Sequence, residues 1–299
     1  MANYEIITND WIRKTVITAL FSDDVLKKRF VLKGGNALDI GHGLGKRASF
    51  DVDLALERNF EEEEIPYIKD RAVKTLDAAF REKGYTVFDA SELKRVPENI
   101  SKDVRNFWGG YVLSFKIISL ENKQRFGGNL DKIRRGAASV ALRERKVFKI
   151  EISVYEYCGD LAYVDIEGYR IAVYSVELVI AEKMRALCQQ LDDYLRIVHR
   201  EGRGGTPRAK DFYDIYEAAE KFAVDMTGGR FVRILRKTFE AKRVPLKLLA
   251  SVRGTREFHR PAFAAVEETV KAPGDLKGFD FYFDYVVNKI RALETSGII

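Results

Sequence analysis

Between Val31 and Leu56 the chain reads VLKGGNALDIGHGLGKRASFDVDLAL, and this stretch limits the possible folds more than any other. A short apolar run enters a Gly-Gly turn. A glycine-rich connection follows, and a second apolar run returns carrying Asp51 and Asp53. Alternate residues of a strand share one face, so a strand over 50–56 sets the two carboxylates side by side. Such a pair repels itself unless a cation lies between. Mg2+ is the obvious ion, because it binds through one or two carboxylates and completes its shell on substrate phosphates. Gly34 and Gly35, opening a helix after a strand, let backbone N–H groups approach a phosphate closely. Together the two halves suit a site that handles a nucleotide.

At 299 residues the chain has room for one large domain or two modest ones. It is 46 % apolar and 32 % charged, a globular profile. Cys158 and Cys188 are its only cysteines and lack CxxC spacing, which points to a reducing, cytoplasmic setting. No leader-like apolar segment and no run of membrane-spanning length occurs, so no membrane partner is expected. His42, His199 and His259 stand apart from one another and from the cysteines, which argues against zinc. The net charge of +6 is concentrated in two runs. One holds Lys123, Arg125, Lys132, Arg134, Arg135, Arg143, Arg145, Lys146 and Lys149. The other holds Lys242, Arg243, Lys247, Arg253, Arg256 and Arg260, opposed by Glu257. Either suits a polyanion, and either alone also suits a solvated face.

Apolar periodicity predicts a helix over 8–28, a short strand at 30–32, a short helix over 36–40, and a strand over 50–56. A helix over 61–83, a strand over 85–88, and two Val-, Ile- and aromatic-rich strands over 111–120 and 146–155 follow. After residue 174 the pattern turns helical, at 176–194, 210–222, 231–241 and 281–293, interrupted by the polar loop EGRGGTP at 201–207. The expected architecture is α/β (α+β): a mixed sheet with flanking helices over 1–174, and a helical domain over 175–299.

GHGLGK is not a phosphate loop of the GxxxxGK type, because Ile40 stands where its first glycine belongs. It is not a dinucleotide fingerprint either, because Lys46 stands where a third glycine belongs. Gly41, Gly43 and Gly45 read as a flexible connection. Glu151, in VFKIEISVY, lies between Ile150 and Ile152 and so faces away from them. If its strand lies beside the 50–56 strand, three carboxylates converge; otherwise Glu151 and Ser153 face water. Lys183 lies on a helix, where a lysine can simply be solvated. Asp211 and Asp214 are three apart and share a helix face.

LKGGNAL, RASFDVDL, FKIEIS, AEKMRAL and RAKDFYDI, in that order, resemble the AbiEii toxin family, nucleotidyltransferases of the DNA polymerase β-like superfamily found in type IV toxin–antitoxin and phage-abortive systems. The likeness covers roughly residues 30–220. It implies a nucleotidyltransferase-like sheet and Mg2+-dependent transfer from an NTP to an RNA acceptor such as the tRNA 3′ end, with a cognate antitoxin as partner. It implies that Asp51, Asp53 and Glu151 hold metal. Lys33, Gly34, Gly35, Ser49, Lys183, Arg208 and Lys210 would bind the nucleotide, and Lys183 and Asp211 would join the carboxylates in catalysis. Asp39 departs from the family pattern, which often has Arg there, and Ile215 replaces a Leu. A small-molecule or protein acceptor, and a non-catalytic nucleic-acid-binding module, are the alternatives. The charge runs favour RNA over a small molecule. Three clustered acids argue against a module that only binds a polyanion.

Overall fold

Short strands joined through longer helices make a mixed sheet with helices packed on it, and a computed structural model describes residues 6–47, 50–140 and 146–299 of this arrangement. In chain order the first elements are β1 (Ile6–Ile7), α1 (Asn9–Ser22), β2 (Val31–Leu32), α2 (Gly34–Asn36) and β3 (Val52–Ala55). The predicted helix over 8–28 is thus shorter, ending at Ser22 before a separate 3-10 turn at Leu26–Lys28. Then come α3 (Glu64–Glu82), β4 (Tyr85–Phe88), β5 (Lys94–Val96), β6 (Gly110–Ser119), α4 (Leu120–Phe126), α5 (Leu130–Arg135), β7 (Ser139–Val140) and β8 (Phe148–Ser153). Two strands absent from the sequence reading follow, β9 (Leu161–Ile166) and β10 (Tyr169–Tyr174). The remaining elements are helical: α6 (Val176–Cys188), α7 (Asp192–Ile197), α8 (Ala209–Lys221), α9 (Gly229–Ala241), α10 (Arg256–His259), α11 (Ala264–Glu267) and α12 (Phe279–Thr295). The predicted helix over 176–194 is two, α6 and α7, separated by a turn after Cys188.

The main sheet runs β4-β6-β8-β3-β2-β10-β9, with β5 also paired to β6. β3 pairs with β8 and β2 with β10 in parallel; the other neighbours are antiparallel. Alternation fixes the faces. In β8 Phe148, Ile150 and Ile152 are buried and Lys149 and Glu151 are exposed. The buried side chains join Val52, Leu54, Leu113 and Phe115 in a core that α1 and α3 cover with Val16, Leu20, Leu76 and Phe80.

A second apolar cluster is built mainly from α6, α8, α9 and α12, with Met184, Phe212, Leu235 and Phe283 fully buried. It also takes in Val31, Ala37, Leu38 and Ala55 beside the glycine turn. Apolar packing therefore ties the C-terminal helices to the segment that the sequence singled out. Among the described residues no helix is long and apolar enough to cross a membrane.

Candidate active site

The parallel register of β3 and β8 sets Val52 beside Ile150, Asp53 beside Glu151 and Leu54 beside Ile152. The apolar pairs anchor the buried face, so Asp53 and Glu151 emerge together on the other. On the far side of β3, β2 delivers the chain into the glycine turn. Gly34 has φ +63°, and a Cβ there would lie 2.7 Å from Asp53 Oδ2. Backbone conformation and close approach both demand glycine. The Lys33 N–H donates to the Asp53 carbonyl at 3.0 Å, locking the turn to the strand.

Asn36 ties in the third acid: its side-chain N–H donates to the Asp51 carbonyl at 2.7 Å. Its own Oδ1 accepts from buried Arg13, which also pairs with Asp39 at 2.7 Å. The departure at Asp39 thus has a structural partner: it anchors the arginine that holds the glycine turn against Asp51. Ser49 lies outside the described residues.

Burial pushes the Asp53 carboxyl up to about 6; Lys33 opposes the rise and the Glu151 charge adds to it. Two carboxylates facing each other across a ladder, one already reluctant to ionise, make a strong cation-seeking pair. Among the described residues no three or more His, Cys, Asp or Glu side chains are grouped so that they could hold a metal ion by themselves. Asp53 and Glu151 are brought together, while Asp51, just before β3, lines the same cleft. This donor set fits an ion that keeps most of its shell for water and phosphate, as Mg2+ does.

The cleft encloses about 900 Å³ between the sheet and the C-terminal helices. On its α8 side lies a buried ionic network. Lys183 Nζ stands 3.1 Å from Asp211 and 2.7 Å from Asp214; Arg47 pairs with Asp214 at 2.7 Å, and Arg208 pairs with Asp211. Burial alone would raise both acids. Arg208 and Lys183 hold Asp211 well below the usual carboxylate range, and Arg47 and Lys183 hold Asp214 down at about 2. Lys183 is therefore not a solvated lysine: it is 4 % exposed. Lys210, by contrast, is exposed at the cleft and forms no ion pair among the described residues.

A further network was not foreseen. Glu156, just past β8, lies 2.7 Å from Arg185, 3.4 Å from Lys242 and 3.6 Å from Lys33, and Lys33 also bonds Glu182 at 2.9 Å. These five charges come from four separate places in the chain, Glu182 and Arg185 sharing α6. One signal was present: AEKMRAL puts Glu182, Lys183 and Arg185 on a helix that is otherwise apolar all round, the mark of a buried helix.

The basic runs lie differently from expectation. β6 begins at the cleft with Gly110–Val112, but α4 and α5 follow its other end, about 30 Å away along a ten-residue strand. There Arg134 pairs with Asp89 at 2.7 Å, and Lys146 donates to the Arg135 carbonyl. Arg143 and Arg145 lie outside the described residues. In the second run Lys242 is buried, Arg253 pairs with Glu294, and Arg256 and Arg260 pair with Asp280. Glu257 is thus not their sole counterweight, because α12 supplies the others.

The family described as nucleotidyl transferase AbiEii toxin, type IV TA system, matches residues 16–284. A chain that combines this match with the glycine turn and strand-borne acids is a nucleotidyltransferase. It belongs to the AbiEii toxin family, whose type IV toxin–antitoxin character implies an NTP substrate and an antitoxin partner. Two solved structures are similar in trace. JHP933 from Helicobacter pylori is 15 % identical, with 96 % of this chain and 90 % of that one covered and a TM-score of 0.48. MenT4, a nucleotidyltransferase toxin from Mycobacterium tuberculosis, is 14 % identical, with 95 % and 82 % covered and a TM-score of 0.42. No curated protein sequence matches this chain.

Proposed function

We propose that the chain transfers a nucleotide from an NTP to an RNA acceptor such as the tRNA 3′ end, in a Mg2+-dependent reaction in the cytoplasm. The observation that carries this reading is the opposition of Asp53 and Glu151 beneath a glycine whose positive φ and close approach to Asp53 leave little room for a side chain. Asp51, Asp53 and Glu151 are the residues that would hold the ion, and the chemistry supplied by it when bound is Lewis-acid stabilisation of phosphate charge. Gly34, Gly35 and Lys33 would seat the phosphates, helped by Lys210 and Arg208 at the start of α8. Glu151 would either help hold that ion or take the proton of an attacking hydroxyl. Lys183 and Asp211 serve this site by fixing α6 against α8, so that Arg208 and Lys210 face the carboxylates. In this reading residues 1–174 form the nucleotidyltransferase domain and 175–299 the helical domain that closes the cleft.

A small-molecule acceptor is the second reading, favoured by the distance of the 123–135 basic run from the cleft. The test is incubation with each labelled NTP, total RNA, and either Mg2+ or EDTA, followed by a gel. Label in tRNA-sized RNA, lost with EDTA and with Asp53→Asn, supports the first reading. RNA that stays unlabelled with every NTP contradicts it.

A further inference from the structure

The Glu156 network has more cations than anions. Lys33, Arg185 and Lys242 surround Glu156 and Glu182, and all five line the cleft. Asp53 also feels the Lys33 charge, but the proposed function commits it to a metal ion. An excess positive charge is thus held away from bulk water, where it is expensive unless an anion completes it. The donors are also incompletely used. Arg185 is 2 % exposed and its Nε has no hydrogen-bond partner. Lys242 Nζ donates to the Val154 carbonyl and sits 3.4 Å from Glu156, leaving one of its three N–H groups over. Burial pulls the Lys242 ammonium down to about 8, although Glu156 favours its charge.

The surroundings say what kind of anion fits. The Val154 N–H donates to the Gly109 carbonyl, which brings the Trp108–Gly109 corner next to Lys242. Trp108 and Gln189 line the same cleft, and the Arg200 guanidinium lies 5.5 Å from the Trp108 ring centre. Buried cations beside an indole and an amide are the elements used to hold a single-stranded nucleotide: charge for the phosphate, a ring for the base. The α8 side already offers Arg208 and Lys210 to the NTP.

We infer that Lys242 and Arg185 form a phosphate subsite for the acceptor, with Trp108 as the platform for its terminal base. The inference rests on nucleotidyl transfer to RNA, but its test is a binding measurement that needs no turnover. The phosphate could instead be one of the NTP's own, so the two sources are measured separately. Lys242→Gln leaves two cations on two carboxylates, a balanced set, so the fold should survive; Lys242→Met fills similar volume should the amide be poorly tolerated. Anisotropy of a fluorescein-labelled single-stranded RNA of about twelve nucleotides reads the acceptor, and calorimetry with a non-hydrolysable NTP analogue reads the donor.

The expected result is RNA affinity weakened about tenfold or more, with the salt slope reduced by about 0.7, the value for one lost single-strand phosphate contact. NTP-analogue affinity should fall by no more than about threefold, because of its proposed contacts only Lys33 shares Glu156 with Lys242. Trp108→Ala should weaken RNA binding without changing that slope. A loss of NTP affinity equal to the loss of RNA affinity would reassign the subsite to the triphosphate. Unchanged RNA binding in folded Lys242→Gln and Lys242→Met would overturn the inference while leaving the carboxylate reading intact.

Discussion

The carboxylates of β3 and β8 line the cleft together with Asp211 of α8, yet the chemistry of the two regions runs in opposite directions. Asp53 faces Glu151 across a ladder, and burial drives its carboxyl up to about 6. Asp211 and Asp214 are at least as buried, but Lys183, Arg47 and Arg208 hold them far down. In one region every acid is met by a cation at ion-pair distance; in the other, two acids face each other across the ladder. Complete networks hold helices in place; an incomplete one, kept rigid by a sheet, is where a ligand binds.

The comparison breaks most readily at Lys183. Removing one partner of a buried ionic set leaves an uncompensated charge, so Lys183→Ala should cost about 3–5 kcal/mol of stability in urea denaturation. A change below about 0.5 kcal/mol, as for an ordinary surface lysine, would show that the α8 network does not hold the fold.

His259 tests the same region by pH. Its Nδ1 accepts from the Arg208 N–H at 3.0 Å, and burial pulls the imidazole down to about 4. The folded value lies below the ordinary 6.5, so its contribution is present above pH 6.5 and lost as pH falls through 4. Stability measured at pH 7 and pH 4 should therefore differ through His259 by up to about 3 kcal/mol. His259→Gln should flatten the dependence across that window, and an unflattened profile would assign it to other groups.

The carboxylate side predicts the reverse sign. Asp53 has a raised value, so its contribution is present below pH 3.8 and lost as pH rises through about 6. At pH 7 without metal, Asp53→Asn should be more stable than the parent by about 1–3 kcal/mol, although the same change should abolish transfer. A destabilised variant would mean that Asp53 is already paired. The smallest effect belongs to the surface: Arg134→Ala breaks a half-exposed pair with Asp89 and should shift stability by less than about 1 kcal/mol. If the 123–135 run touches RNA, the change should still lower the salt slope by about 0.7.

How far the sequence disclosed this depends on the range of each interaction. Asp53 and Glu151 were legible because period-two alternation assigns a face within one strand, and parallel pairing needed only adjacency. The β9–β10 hairpin was missed although its signal was local. Glu167 and Gly168 both take positive φ, at 51° and 83°, as a two-residue primed turn requires, and alternating residues flank them. Glu156, Arg185 and Lys242 were illegible for a different reason. They come from separate segments, and only the packing of α6 and the end of α9 on the end of β8 joins them. Lys183 shows the same limit: its helix left both a solvated lysine and a site contact open, while its partners lie 28 and 31 residues on.

Asp53 and Glu151 are the pair on which cation binding depends. Thermal melting of the parent, Asp53→Asn and Glu151→Gln at pH 7, each with EDTA or Mg2+, tests it directly. The parent should melt lowest in EDTA and rise with Mg2+, and both variants should melt higher in EDTA and ignore the ion. A parent that does not respond to Mg2+, together with variants that melt below it in EDTA, would contradict the claim that these carboxylates are held together for a cation.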